Sequence, residues 1–123
     1  MAKDRLTVNL EANLLEFARN LSTNNGFKEQ YTLEFLIKKG LMLLSLNIPD
    51  IAYRPSENKK IVKCLTLSKD TYNKIREISK KRRIFAEKYL HFGKKKEMLK
   101  KSKISYIVNE LLYYGKLSVE YGL

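Results

Sequence analysis

RLTVNL, residues 5–10, alternates polar and apolar side chains and runs directly into a second pattern, Leu14, Leu15, Ala18 and Leu21. Period two marks a strand with one buried face, and recurrence at three and four residues marks an amphipathic helix. A single strand leaves its backbone groups unpaired, so a partner strand must exist.

The same succession returns after a break. Residues 47–60, NIPDIAYRPSENKK, contain Pro49 and Pro55, which forbid a continuing helix, followed by the polar Ser56, Glu57 and Asn58. This is the predicted linker. Leu10 closes the first alternating stretch and is followed by Leu14, Leu15, Ala18 and Leu21. Leu67 closes a second such stretch and is followed at the same offsets by Thr71, Tyr72, Ile75 and Ile78. Each copy then continues into another helix. In the first, Asn24, Asn25 and Gly26 read as a C-cap and turn, and Leu33, Leu36, Ile37, Leu41 and Leu44 line a helix from about 28 to 45. In the second, Ser102 reads as an N-cap, Ile104, Ile107, Val108, Leu111 and Leu112 form the stripe, and Gly115 ends it. The unit is strand, helix, helix, once over residues 1–46 and again over 61–123.

The 123 residues suit one compact domain or two small interlocked units. The longest apolar runs are too short to span a membrane, and the start MAKDRLTVNL lacks a hydrophobic signal core, so the protein reads as cytoplasmic and not membrane-bound. One cysteine, Cys64, excludes an internal disulfide, and one histidine, His91, leaves too few soft ligands for a structural zinc. Cys64 reads as small and half-buried, His91 as a surface residue. No metal, cofactor or catalytic residue is expected, because no phosphate loop or paired nucleophile and base is visible.

Charge is the other strong signal. Residues 1–58 balance to zero, whereas 59–123 hold eighteen lysines and arginines against six acids, so the whole surplus of +12 lies in the second half. Such a lopsided surplus predicts a polyanionic partner, with a merely solvated lysine-rich face as the plainer reading.

RLTVNLEANLLEFARNLSTNNGF in the first copy, and CLTLSKDTYNKIREIS with SKISYIVNELLYYG in the second, resemble the ribbon-helix-helix proteins of the MetJ, Arc and CopG type. The resemblance covers most of the chain outside the linker and one insertion. It implies a mostly α fold with a two-stranded antiparallel β-ribbon, here a tandem pseudo-dimer. Residues 5–10 would pair with 62–67 inside one folded monomer. The alternative is a homodimer pairing the first strand with its own copy.

With Leu6, Val8 and Leu10 inward, Arg5, Thr7 and Asn9 share the solvent face, together with Val62, Cys64 and Thr66 of the second strand. Lys63 is then inward, its stem along the core and its ammonium reaching water. Outward strand residues of the family enter the DNA major groove, where Arg reads guanine, Asn reads adenine and Thr reads either. An ordinary exposed strand face is the simpler alternative. The resemblance also implies phosphate contacts at the start of each second helix, placed here at Lys28 and Glu29 and at Ser102 and Lys103. Glu29 is ill suited to that role, which leaves the first clamp to Lys28.

The second copy is longer by about 17 residues, and the extra lies between its two helices, within KKRRIFAEKYLHFGKKKEMLKK. Ile78, Phe85, Tyr89 and Phe92 fall at helical spacing, so a helix is expected past residue 83, with a turn at Gly93 and the aromatics extending the core. Lys80, Lys81, Arg82, Arg83, Lys94, Lys95 and Lys96 are candidate phosphate contacts in this helical insertion near 80–101. A protein-contact surface is an equal alternative, and an anionic membrane surface a lesser one. The expected function is sequence-specific binding of double-stranded DNA by a transcriptional regulator, most simply a repressor. The other reading is an accessory factor of plasmid transfer, partition or replication, or the DNA-binding part of an antitoxin. The short tail KLSVEYGL is then left to add an edge strand or to join neighbouring molecules on DNA.

Overall fold

The computed structural model describes residues 3–47, 52–57 and 59–122; Met1, Ala2, Pro49 and Asn58 of the readings above lie outside them. The described chain is mostly helical with one two-stranded sheet. Its order is β1 (Lys3–Glu11), α1 (Ala12–Asn25), α2 (Glu29–Ser45), β2 (Lys60–Ser68), α3 (Lys69–Tyr89), α4 (Phe92–Lys101) and α5 (Ile104–Tyr121).

β1 and β2 pair antiparallel within the chain, over Lys3↔Ser68 to Glu11↔Lys60, with Thr7 opposite Cys64 at the middle. The alternation decides which face is buried. Val8, Leu10, Leu65 and Leu67 turn inward and join Leu14, Leu15 and Ala18 of α1, Leu33, Leu36 and Ile37 of α2, Ile75 of α3, and Ile107, Val108, Leu111 and Leu112 of α5. Each fully buried Leu or Ile contributes roughly 1.5–3 kcal/mol. Both halves feed one core, and among the described residues neither ribbon strand has another sheet partner.

α2 and α5 cross very closely at the centre. A Cβ on Gly40 would sit 2.0 Å from the carbonyl oxygen of Leu111, and one on Gly115 would sit 2.1 Å from that of Leu36. Only glycine lets the backbones approach this far. Gly115 therefore does not end its helix as expected: α5 runs through it to Tyr121 and is capped by Gly122 at φ 68°. Residues 116–121 of the tail are thus helical and supply no edge strand.

Gly26, at φ 69°, does cap α1 as expected. The described linker residues Tyr53 and Ser56 are held down. Glu11, buried at the end of β1, accepts from the Tyr53 hydroxyl and from the Ser56 amide (3.1 Å), and the Tyr53 amide donates to the Tyr114 hydroxyl (3.3 Å). Burial first, and the Glu11 hydrogen bond second, raise the Tyr53 phenol above its ordinary pKa.

The insertion is helical, but it bends elsewhere than expected. α3 ends at Tyr89, Leu90 and His91 are extended, Phe92 takes φ 52°, and Gly93 lies inside α4. Its aromatics do not extend the core: Phe85, Tyr89 and Phe92 are exposed, Phe92 to 94%, and Ala86 fills the inner position instead. Among the described residues no helix is long and apolar enough to cross a membrane.

Candidate nucleic-acid interface

The outer ribbon face carries Arg5, Thr7 and Asn9 beside Thr66, Cys64 and Val62, their respective cross-strand partners. All are exposed except the half-buried Thr66. Cys64 is exposed rather than half-buried, because it alternates with the inward Leu65 and shares the outward face of Val62 and Thr66. Lys3 and Lys60 sit on the same face at its two ends, and both are exposed.

A two-stranded ribbon has two open edges, and side chains from below bind part of each. Gln30 of α2 donates to the Cys64 carbonyl and accepts from the Thr66 amide, each at 3.1 Å. Ser105 of α5 accepts from the Asn9 amide (3.1 Å), and Asn109 accepts from the Glu11 amide and donates to the Asn9 carbonyl, both at 2.9 Å. Glu34 accepts from the Ser68 amide at 2.8 Å. α2, from the first half, thus grips the second strand, and α5 grips the first. The Asn9, Glu11, Thr66 and Ser68 amides and the Asn9 and Cys64 carbonyls, which an edge strand would offer to another chain, are thereby taken up, and the outward side chains near them are held in register. Nothing in the alternating pattern signalled Gln30, Ser105 or Asn109; a polar residue inside an apolar stripe, as at Asn109, was the available sign.

Lys63 is inward as expected, and Glu29 explains how this is tolerated. Its carboxylate pairs with Lys63 and Arg19, each at 2.5 Å. Burial alone would raise Glu29, but the hydrogen bonds from Lys63 and Arg19 outweigh it and hold the acid below its ordinary range. The same opposition acts on Glu34, where burial is overcome by hydrogen bonds from Ser68 and Thr71 and by the nearby Lys38.

Lys28 and Lys103 occupy the N-cap positions of α2 and α5 in matching extended conformations (φ −72°, ψ 144° and φ −68°, ψ 141°). Neither end is capped by a side chain, so first-turn amides remain open beside an exposed lysine. Ser102 is not part of this. It ends α4, is buried, and spends its hydroxyl on the Leu99 carbonyl (2.6 Å), while its own carbonyl accepts from Ser79.

The insertion's cations divide. Arg82 turns inward to Glu110 (2.8 Å) and the Lys101 carbonyl (2.9 Å), bracing α3 against α5, so it is unavailable to a ligand. Lys81 pairs with Glu77 and Lys95 with Glu87 in surface contacts of small energetic weight. Arg83 reaches the Ser79 hydroxyl at 3.4 Å. Lys80, Lys94 and Lys96 are exposed, with no carboxylate within 4.0 Å among the described residues. No family model matches the chain, and no curated protein or solved structure matches it at a significant level.

Proposed function

We propose that the chain is a tandem ribbon-helix-helix pseudo-dimer that binds double-stranded DNA sequence-specifically as a cytoplasmic transcriptional regulator, acting as a repressor by occupying a promoter. The two units are residues 1–46 and 61–123, joined by the strap at 47–60. Support for the pairing lies in the reciprocity of the contacts. Gly40 meets Leu111 as Gly115 meets Leu36, Gln30 holds Thr66 as Ser105 holds Asn9, and Glu34 holds Ser68 as Asn109 holds Glu11.

The observation that carries the DNA reading is the braced outer face of the ribbon. Arg5, Thr7 and Asn9 offer hydrogen bonds suited to guanine and adenine edges, and Val62 offers apolar contact suited to the thymine methyl. A face of this width fits the major groove. Lys28 and Lys103, with the open amides behind them, take the flanking phosphates. Selection from a random duplex pool tests it. The wild type is expected to enrich one short sequence, and Arg5→Ala/Asn9→Ala to lose that preference while retaining weak, salt-sensitive binding. Enrichment of the same sequence by the double variant would overturn the ribbon reading.

A further inference from the structure

The exposed side chains of α4 form a track that the ribbon does not account for. Phe92, Lys96 and Lys100 recur every four residues, so they lie on one helical face, which ends at Lys103, the N-cap of α5. All four are exposed, and the three lysines have no carboxylate within 4.0 Å among the described residues. This face is continuous with the ribbon. A groove of about 730 Å³ is bordered by Asn9 and Lys60 at the ribbon and by Lys100 and Lys103, and a second groove, of about 720 Å³, continues from the same two lysines to Lys96 and Phe92. The first half has nothing comparable, because α1 and α2 are joined there only by the turn from Gly26 to Lys28.

We infer that α4 is a one-sided arm that extends the DNA contact beyond the ribbon. Lys103, Lys100 and Lys96 follow the phosphates of one flank, and Phe92 ends the track as an apolar wedge in the neighbouring minor groove. The inference rests on the DNA-binding reading above. Two features favour duplex DNA over other anionic surfaces: the track starts at the ribbon, and its charge is arranged as a line rather than a patch. A helix of ten residues is about 15 Å long, close to half of the roughly 34 Å turn of B-DNA that separates a major groove from the next minor one. An apolar side chain at the end of a basic track is the device by which minor-groove proteins unstack a base step. Phe92 suits that role, being almost wholly exposed and held at the bend by a positive φ.

The test uses the full chain and the duplex it selects, made in three forms: the minimal site, and the site with about eight base pairs added on either end. Wild type is expected to bind one extended form about tenfold more tightly than the minimal site and the other no more tightly. Phe92→Ala/Lys96→Ala/Lys100→Ala, which alters only exposed positions, is expected to bind all three as the wild type binds the minimal site. A 2-aminopurine in the favoured flank should brighten with wild type and stay dark with Phe92→Ala. Equal gain on both flanks, gain on neither, or gain retained by the triple variant overturns the arm; so does Phe92-dependent binding to phosphatidylserine vesicles without any flank gain. Failure of the ribbon reading looks different, since Arg5→Ala/Asn9→Ala would then keep the selected sequence. A wild type that binds no duplex overturns both.

Discussion

Gly40 and Gly115 hold corresponding places in one helix crossing, each with its missing Cβ pointed at a carbonyl of the opposite helix, Leu111 or Leu36, about 2 Å away. Alanine at either position has to push the helices apart through a core shared by both halves. Gly40→Ala and Gly115→Ala are each expected to destabilise by roughly 2–4 kcal/mol, against the usual helix-propensity gain. Gly93, inside α4 with open space around it, should respond with the opposite sign, Gly93→Ala gaining up to about 1 kcal/mol. Urea unfolding of the three variants checks this; a neutral Gly40→Ala would mean that the crossing relaxes at no cost.

The acid limb of stability should depend on Glu29 and Glu34. Both carboxyls lie below their ordinary value of 4.5 in the folded chain, so they bind protons less readily folded than unfolded. Their contribution is complete above that value and drains away as pH falls through the lower folded pKa. Between about pH 5 and 3, the urea midpoint of wild type should decline more steeply than that of Glu29→Gln/Glu34→Gln. Parallel declines would show that the Lys63, Arg19 and Ser68 contacts bring no differential proton affinity.

At the other extreme lies Tyr106. Burial is the main cause that pushes its phenol up to about 12 from the ordinary 10, with Glu110 adding to it. The folded state keeps a proton that the unfolded chain has released, so stability is full below pH 10 and falls as pH climbs from 10 toward 12. Tyr53 and Tyr114 are raised too, so Tyr106→Phe should make the alkaline loss shallower without abolishing it. An unchanged alkaline slope would count against burial as the source of the shift.

Much of this fold was legible because its signals are periodic. The alternation at 5–10, the matched offsets from Leu10 and Leu67, and the stripes from Leu33 to Leu44 and from Ile104 to Leu112 placed both strands and four of the five helices. What misled were residues with two physical uses. Gly115 resembles a helix stop, yet it sits where two backbones nearly touch. Ser102 resembles an N-cap, yet it closes the preceding helix, and Lys103 takes the position. Phe85, Tyr89 and Phe92 have core spacing, but no layer covers them, and a helical period cannot reveal whether a partner face exists. Residue type alone marks the insertion's cations as phosphate contacts, and it cannot reveal that Arg82 turns inward to Glu110.

If phosphates supply most of the affinity, log K should fall with log salt at a slope on the order of −5 to −9. Lys94→Ala/Lys95→Ala/Lys96→Ala should weaken binding about equally for all sequences, and most of that loss should come from Lys94 and Lys96, since Lys95 is engaged by Glu87. Asn9→Ala, in contrast, should cost roughly 1–3 kcal/mol at a single base position. Titration at several salt concentrations separates the two. A flat salt dependence would end the case for DNA.

The two strands put different chemistry into the groove, Arg5, Thr7 and Asn9 on one side and Thr66, Cys64 and Val62 on the other. Because they belong to one chain, a single molecule should recognise a non-palindromic site, with a hydrogen-bonded half and a half enriched in thymine where Val62 and Cys64 offer mainly apolar contact. Two molecules side by side could still read an inverted repeat, but each would bring its own ribbon. The decisive quantity is the stoichiometry on the shortest duplex that retains specificity, read by sedimentation or native mass spectrometry. One chain per asymmetric site is expected, and Val62→Asn should change the preferred base in the thymine-rich half alone. Two chains sharing one palindromic ribbon site would instead require β1 to leave β2 for its own copy, and the contacts of Gln30, Ser105 and Asn109 that hold the intramolecular register would have to be exchanged between molecules.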